Sequence, residues 1–385
     1  MKRYDCLKEL ATRVSEDDLV IANLAATTVE WQSLFPSDGN LNYVGMGMVV
    51  PIANGVALAL PQRRVIALDG DGGALFDLSA FGTIAHTLPD NLCVIVFDNE
   101  SYNSTGKWAS ATSLTSKSVD IAGVAQASGI NKVTEVSTVS EFKAAIDDVF
   151  SSKGPAVIVA KINRENVFSK IMSMDGKENK YRFVRHVEQL EGKKILIPSA
   201  REHGQPPLPD PLSYNEEKNS DFATVLYDGI KENGFDFVVG LPCSGMSKAQ
   251  SLCIEDPSIH YVGVAHEGTG FGLCLGAWLG GLKPVALVEN FGFFAGAYQL
   301  MRGHYHYGVP LLVVSEYRGD AGDTEFYSKA GEVTEEMFRA MYINHQVVRE
   351  LQQLKPAIRD GWRWANHGLR PYGVIPTFDL SRPRH

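Results

Sequence analysis

Cysteine is scarce in this chain. The five residues, Cys6, Cys93, Cys243, Cys253 and Cys274, are odd in number and widely spaced, with no C-x-x-C pair. A disulfide framework and a cysteine zinc site are thereby disfavoured, and free thiols in a reducing compartment are expected. Long apolar runs are also missing. No stretch reaches the roughly 18 residues needed to span a bilayer, and the N-terminal MKRYDCLKELATRVSEDD lacks the apolar centre of a signal peptide. Basic blocks are absent too: 45 Asp and Glu outnumber 36 Lys and Arg, for a net charge of −9. Bulk attraction to nucleic acid or to an anionic membrane is not expected from such a balance. The expectation is a soluble cytoplasmic protein with neither kind of partner.

What is present is ordinary globular material. Hydrophobic residues make up 44% and charged residues 21% of 385 residues, enough for two or three domains. Five prolines, at 198, 206, 207, 209 and 211, crowd one stretch. Proline at that density suits neither helix nor central strand, so an extended connector is expected over 193–216, between domains at 1–192 and 217–385.

Both halves alternate apolar runs with helical patterns. In the first half the strand-like runs are 18–24, 64–70, 91–99 and 155–162, with helices expected near 4–14, 49–60, 73–87, 119–128 and 138–151. In the second half the runs are 235–241, 260–265, 283–290, 310–317 and 371–378, with helices near 221–232, 246–254, 268–280, 334–341 and 354–366. The runs are apolar throughout and do not alternate. That suits strands buried on both faces of a mostly parallel sheet flanked by helices, so the expected class is α/β with two such domains. Ligands in open sheets of this kind bind beyond the carboxyl ends of the strands. Attention therefore falls on the loops there.

The most informative loop follows RVIAL. It reads Asp69-Gly70-Asp71-Gly72-Gly73, and a second strand, NLCVIVF, runs into Asp98-Asn99-Glu100. From Gly-Asp-Gly at 70–72 there are 26 residues to Asn99. Glycines let backbone amides approach a phosphate. Asp71 and Asn99 offer hard oxygens at two strand ends, as Mg²⁺ requires when it bridges a protein and a diphosphate. A nicotinamide dinucleotide site would need G-x-G-x-x-G, which Gly70, Gly72 and Gly73 do not fit.

This spacing resembles the thiamine-diphosphate motif of the 2-oxo acid decarboxylase and acetolactate-synthase superfamily. The segments VGMGMVVPIANGVALAL, RVIALDGDGGAL and TLPDNLCVIVFDNESYNSTGK resemble most the phosphonopyruvate and sulfopyruvate decarboxylases within it. The resemblance implies thiamine diphosphate and Mg²⁺ as cofactors. Asp71 and Asn99 would bind the metal by side chain and Ser101 by its main-chain carbonyl, while Gly70, Gly72 and Gly73 would face the diphosphate. Met46 matches the apolar residue wedged between the two cofactor rings. Val44 lies where a carbonyl accepts from the exocyclic amine.

In the second half, HYVGVA is followed by His266-Glu267 and a small-residue helix, GTGFGLCLGAWLGG. This resembles the pyrimidine-binding domain of the same superfamily, and Glu267 matches the acid that hydrogen-bonds the aminopyrimidine and activates the cofactor. GFDFVVGLPCSG, Asn290-Phe291-Gly292 and Tyr317-Arg318-Gly319-Asp320 match further family segments. The implied reaction is non-oxidative decarboxylation of a 2-oxo acid with an anionic C3 substituent. Arg318 is the first candidate to grip that second anion bidentately, and Lys107 the second. His266 either faces the substrate or packs in the core. Two departures stand out. The diphosphate domain precedes the pyrimidine domain, against the usual order, and the His-His pair of pyruvate-type decarboxylases is absent. Sites in the superfamily form between domains of different chains, so a homodimer or homotetramer is expected. A carboligase outcome and an inactive cofactor-binding subunit stay open as alternatives.

Overall fold

The computed structural model describes residues 1–102, 111–167, 175–196 and 221–381. The chain divides into two compact units, Met1–Lys193 with Leu279–Gly281, and Lys194–Trp278 with Leu282–His385. From residue 197 on, the expected proline-rich connector lies outside the described residues.

The first unit is built on strands β1 (Leu19–Asn23), β2 (Asn40–Val44), β3 (Val65–Gly70), β4 (Leu92–Asp98), β5 (Lys132–Val136) and β6 (Ala156–Lys161). They form one sheet in the order β2-β1-β3-β4-β6-β5, and every pairing is parallel. The residues of β1 and β4 are all buried, as expected for strands covered on both faces. One apolar cluster packs Leu7 and Leu10 of the first helix, Trp31, and Phe142 and Ile146 against Val20, Ile66, Ile95 and Ile158 of the sheet.

The second unit carries β7 (Phe237–Gly240), β8 (His260–Gly263), β9 (Pro284–Glu289), β10 (Leu311–Glu316), β11 (Asn344–Val348) and β12 (Pro371–Pro376). Its order is β11-β12-β10-β9-β7-β8, again all parallel. Read from the other edge this is the wiring of the first sheet, strand for strand. Both units are thus open parallel sheets with helices on their faces, the α/β class expected from the apolar runs.

Three strands, β2, β5 and β11, have no counterpart among the expected runs. All three are polar (NLNYV, KVTEV and NHQVV), and all three lie at sheet edges. An edge strand has one paired neighbour, and charged or polar residues along it discourage pairing with another chain. Helical stretches also occur where none was expected, two of them beside β1 and β9. Ala26–Leu34 follows β1 directly. Asn290–Ala295, with Ala297–Gln299 and a π-helical turn at Leu300–Tyr305, follows β9.

Candidate active site

In the first sheet the chain leaves β1 towards β2 on one side and later returns to β3 on the other. The crevice at such a reversal, beyond the carboxyl ends, is where open α/β sheets take ligands. A cleft lies there, lined by residues after β1 (Asn23 to Thr27), after β3 (Gly70 to Gly73) and after β4 (Asn99, Ser101, Tyr102), with Met46 and Arg3. Of the expected diphosphate and metal residues, Met46, Gly70, Asp71, Gly72, Gly73, Asn99 and Ser101 are therefore brought together.

Val44 is the exception. It is fully buried and does not line the cleft. Its carbonyl accepts the Leu24 amide at 2.9 Å, in the join between β1 and β2. A carbonyl carries a second lone pair, but the first is committed to the sheet.

The turn after β3 is shaped by an acid that is not among the expected site residues. Asp69 is fully buried. Its Oδ1 accepts from Asn23 Nδ2 at 2.7 Å and from the Gly70 amide at 2.8 Å. Burial pushes its carboxyl up to about 7. A β-carbon on Gly73 would collide with that same oxygen, and one on Gly72 would collide with the Tyr102 ring. The two glycines are thus required by crowding as well as by any phosphate.

The helix Asp71–Phe76 starts directly at the end of β3. It leaves Asp71 buried beside Asn99, which follows β4, the strand paired with β3. Burial raises the Asp71 carboxyl; hydroxyls of Ser113 and Thr115 oppose the rise and the charge of Asp98 adds to it. Asn99 Oδ1 accepts the Ser101 amide at 2.9 Å, and Glu100 between them takes a left-handed φ of 58°. That non-glycine conformation costs energy and marks a turn held by its surroundings.

The donor set suits Mg²⁺ and a diphosphate. Among the described residues no group of three or more His, Cys, Asp and Glu side chains gathers as a metal site. A metal here would draw on one carboxylate, an amide oxygen and a main-chain carbonyl, leaving positions for phosphate and water oxygens, as Mg²⁺ prefers. Two buried acceptors, Asn23 Oδ1 in the cleft lining and Asp69 Oδ2 outside it, have no hydrogen-bond partner among the described residues, and a hydrated cation in the cleft would satisfy the first.

The segment after β1 carries no glycine signal and was missed in the sequence. Ala25 has φ 66° and ψ −134° where it caps the helix Ala26–Leu34, which turns the chain into the cleft. Arg3 was missed too. It is the one cationic side chain among the described residues that line the cleft. Its guanidinium bonds Glu30 twice, at 2.9 and 3.1 Å, and Asn166 at 2.7 Å.

In the second unit, Glu267 opens the helix Glu267–Leu279 after β8 and is buried. The carboxylate lies against Gly292, where a β-carbon would overlap it. His266 beside it is half-buried, and its carbonyl accepts the Gly270 amide at 3.3 Å. The small residues of this helix have a local use: Gly268 faces the Gln299 side chain, and a β-carbon on Gly270 would stand 2.7 Å from Val239.

Arg318 departs from its expected role. Its guanidinium grips Asp323 of its own loop at 2.8 and 3.1 Å, stacks 3.5 Å from the Tyr327 ring and is buried. An arginine so engaged is not a vacant anion receptor. Lys107 lies outside the described residues.

Residues 25–160 match the family described as "Thiamine pyrophosphate enzyme, C-terminal TPP binding domain". The fold agrees. The chain superposes on transketolase from Campylobacter jejuni with a TM-score of 0.64 at 13% identity, over 96% of this chain and 73% of that one. Residues 25–160 thus match a thiamine-diphosphate-binding domain, and the chain resembles the thiamine-diphosphate-dependent decarboxylase superfamily.

Within it, the chain is similar to sulfopyruvate and phosphonopyruvate decarboxylases. It is 27% identical to sulfopyruvate decarboxylase subunit beta of Methanocaldococcus jannaschii, over 49% of this chain and 98% of the subunit. It is also 27% identical to the alpha subunit from Methanothermobacter thermautotrophicus, over 36% of this chain and 84% of the subunit. With phosphonopyruvate decarboxylase of Streptomyces hygroscopicus it shares 31% identity over 40% of this chain and 38% of that protein. No helix among the described residues is long and apolar enough to cross a membrane.

Proposed function

We propose that the chain is a Mg²⁺- and thiamine-diphosphate-dependent decarboxylase of a 2-oxo acid with an anionic group on C3, of the 3-sulfopyruvate or 3-phosphonopyruvate kind. The observation that carries this reading is the convergence of Asp71, Asn99 and Ser101 on one cleft at the strand-order reversal, beside a glycine turn with no room for β-carbons. The names of the similar proteins support the substrate class. Bound thiamine diphosphate supplies the electron sink that decarboxylation of a 2-oxo acid requires.

The residues of this chain then divide the work. Asp71 and Asn99 would hold the metal by side-chain oxygens and Ser101 by its carbonyl, and the amides of Gly70, Gly72 and Gly73 would face the diphosphate. Met46, in the cleft lining, would support the cofactor rings. Glu267, fixed over Gly292, would hydrogen-bond the aminopyrimidine N1′. With Arg318 bound to Asp323, and Arg3 at the cleft bound to Glu30 and Asn166, Lys107 and His266 are the remaining candidates to meet substrate. The similarity to both subunits of a sulfopyruvate decarboxylase supports a reading in which one chain unites a diphosphate-type half (1–192) and a pyrimidine-type half (217–385) across the 193–216 connector. We propose a homodimer or homotetramer in the cytoplasm, with sites completed at subunit interfaces.

The test is direct. Purified protein is incubated with Mg²⁺, thiamine diphosphate and, separately, 3-sulfopyruvate, 3-phosphonopyruvate and pyruvate, and products are followed by NMR. An aldehyde from one of the first two is expected. A hydroxyketone would move the reading to a carboligase. Bound cofactor whose C2 proton does not exchange would make the chain a non-catalytic partner subunit.

A further inference from the structure

The carboxylate of Asp71 is held by a segment that no motif marks. After the described turn at Asn99–Tyr102, residues 111–118 return to the same spot. Thr112 Oγ1 accepts the Tyr102 amide at 2.8 Å, the Ser113 amide donates to the Glu100 carbonyl at 3.3 Å, and a short 3₁₀ turn follows at Leu114–Ser116. This places the Thr115 hydroxyl, buried, between two carboxylates. It is 2.8 Å from Asp98 Oδ1, 3.3 Å from Asp71 Oδ2 and 3.1 Å from Ser113 Oγ.

A hydroxyl has one proton to give, and an ionised carboxylate has none. Two acids from neighbouring strand ends therefore share two hydroxyls, those of Thr115 and Ser113. The far side of Asp98 is anchored as well. Its Oδ2 accepts from Lys161 Nζ at 2.7 Å, and its Oδ1 also takes the Glu100 amide at 3.0 Å. The line from Lys161 through Asp98 and Thr115 to Asp71 is continuous. It crosses from β6 to β4 to β3, and the last two are the strands whose ends carry the candidate metal ligands. Partners of this kind fix the rotamer of a ligand and raise metal affinity, although they never touch the metal.

We propose that Thr115 is a positioning residue for Asp71, setting the Mg²⁺ affinity of the cofactor site through its hydroxyl. The inference rests on the reading of Asp71 as a metal ligand. The test titrates Mg²⁺ calorimetrically into full-length protein with saturating thiamine diphosphate. Thr115→Val, close in shape but without the hydroxyl, is expected to bind Mg²⁺ about 10-fold more weakly. Thr115→Ser, which keeps the hydroxyl and loses the methyl, is expected to recover wild-type affinity to within about 3-fold, set against that 10-fold loss. Metal-free thermal unfolding of the two variants reports packing separately. Valine binding as tightly as wild type, or serine as weak as valine, overturns the role of Thr115 alone. Wild-type protein without Mg²⁺-dependent cofactor binding overturns the reading of the site and this inference with it.

Discussion

The carboxylate of Glu267 rests on Gly292. A β-carbon at 292 would stand within 2.6 Å of Cγ and Cδ of Glu267 and closer still to Oε1. The turn after β9 thus sets where the acid that opens the helix after β8 can point. Asn290 holds that turn in place. Its side-chain amide donates to the Arg318 carbonyl at 2.8 Å and to Thr334 Oγ1 at 2.7 Å, tying the loops after β9 and β10 together.

Glu267→Gln and Gly292→Ala are expected to share one phenotype by different means. The first keeps the shape and removes the acid; the second keeps the acid and displaces it. Each should slow C2 proton exchange of bound thiamine diphosphate by about 10²–10⁴-fold, the range for a positioned acid–base group, while Mg²⁺-dependent binding persists. Exchange monitored by proton NMR in D₂O reads the effect, and wild-type exchange in Glu267→Gln would remove the assignment.

Asp71→Ala is expected to act on binding and not on proton exchange as such. It takes away the one carboxylate of the proposed metal set. The loss of Mg²⁺-dependent cofactor affinity should exceed the roughly 10–100-fold that outer partners of a metal contribute. Calorimetric titration of the cofactor with and without Mg²⁺ separates the two contributions, and an unchanged affinity would place the metal elsewhere.

The crowding at Gly73 makes a stability prediction. Gly73→Ala drives a methyl into Asp69, which is fully buried and bonded to Asn23 and Gly70. Overpacking of this kind costs about 1–3 kcal/mol. Shortening the acid makes room, so Asp69→Ser combined with Gly73→Ala should be less destabilised than the sum of the single changes. Urea unfolding of the two singles and the double gives the coupling directly, and strict additivity would show that the contact is not felt.

His304 makes the pH prediction. Its two ring nitrogens face the carbonyls of Phe271 at 2.9 Å and Val309 at 3.2 Å, inside the π-helical turn. A neutral imidazole can donate to only one of them. Burial nevertheless holds the ring neutral, depressing its pKa from 6.5 to about 4 against the pull of both carbonyls. Between those values the unfolded chain binds a proton that the folded chain refuses. The contribution is whole above pH 6.5 and is lost as pH falls towards 4. The loss is on the order of 3 kcal/mol at most. The fall in Tm between pH 7 and 4.5 should be shallower in His304→Gln than in wild type; parallel curves would show that the ring is not held neutral.

Much of this was legible in the sequence for a simple physical reason. Central strands of a covered parallel sheet need apolar residues on both faces, so β1, β3, β4, β6, β9 and β10 announce themselves. β2, β5 and β11 sit at edges, where Asn, Lys, Glu, His and Gln are tolerated, and there the apolar signal fails. The Asp71–Asn99 spacing could be read because both residues follow central strands. Asn23, Ala25 and Arg3 could not. They reach the cleft through a glycine-free turn and through the first helix, and nothing local marks either. Arg318 shows the reverse error: an arginine in a polar loop looks available until the acid five residues on is seen to hold it.

The shared strand order of the two sheets has a consequence for stoichiometry. At matching outlets the first unit presents Asp71 and Asn99, and the second presents Asn290 and Arg318. The first pair lines a cleft; the second pair is closed on its own surroundings, amide to carbonyl and hydroxyl, guanidinium to Asp323. Identical wiring therefore ends in two side chains that line a cleft and two that are bound to their neighbours. A titration should saturate at a single equivalent of cofactor per chain, although the scaffold is present twice.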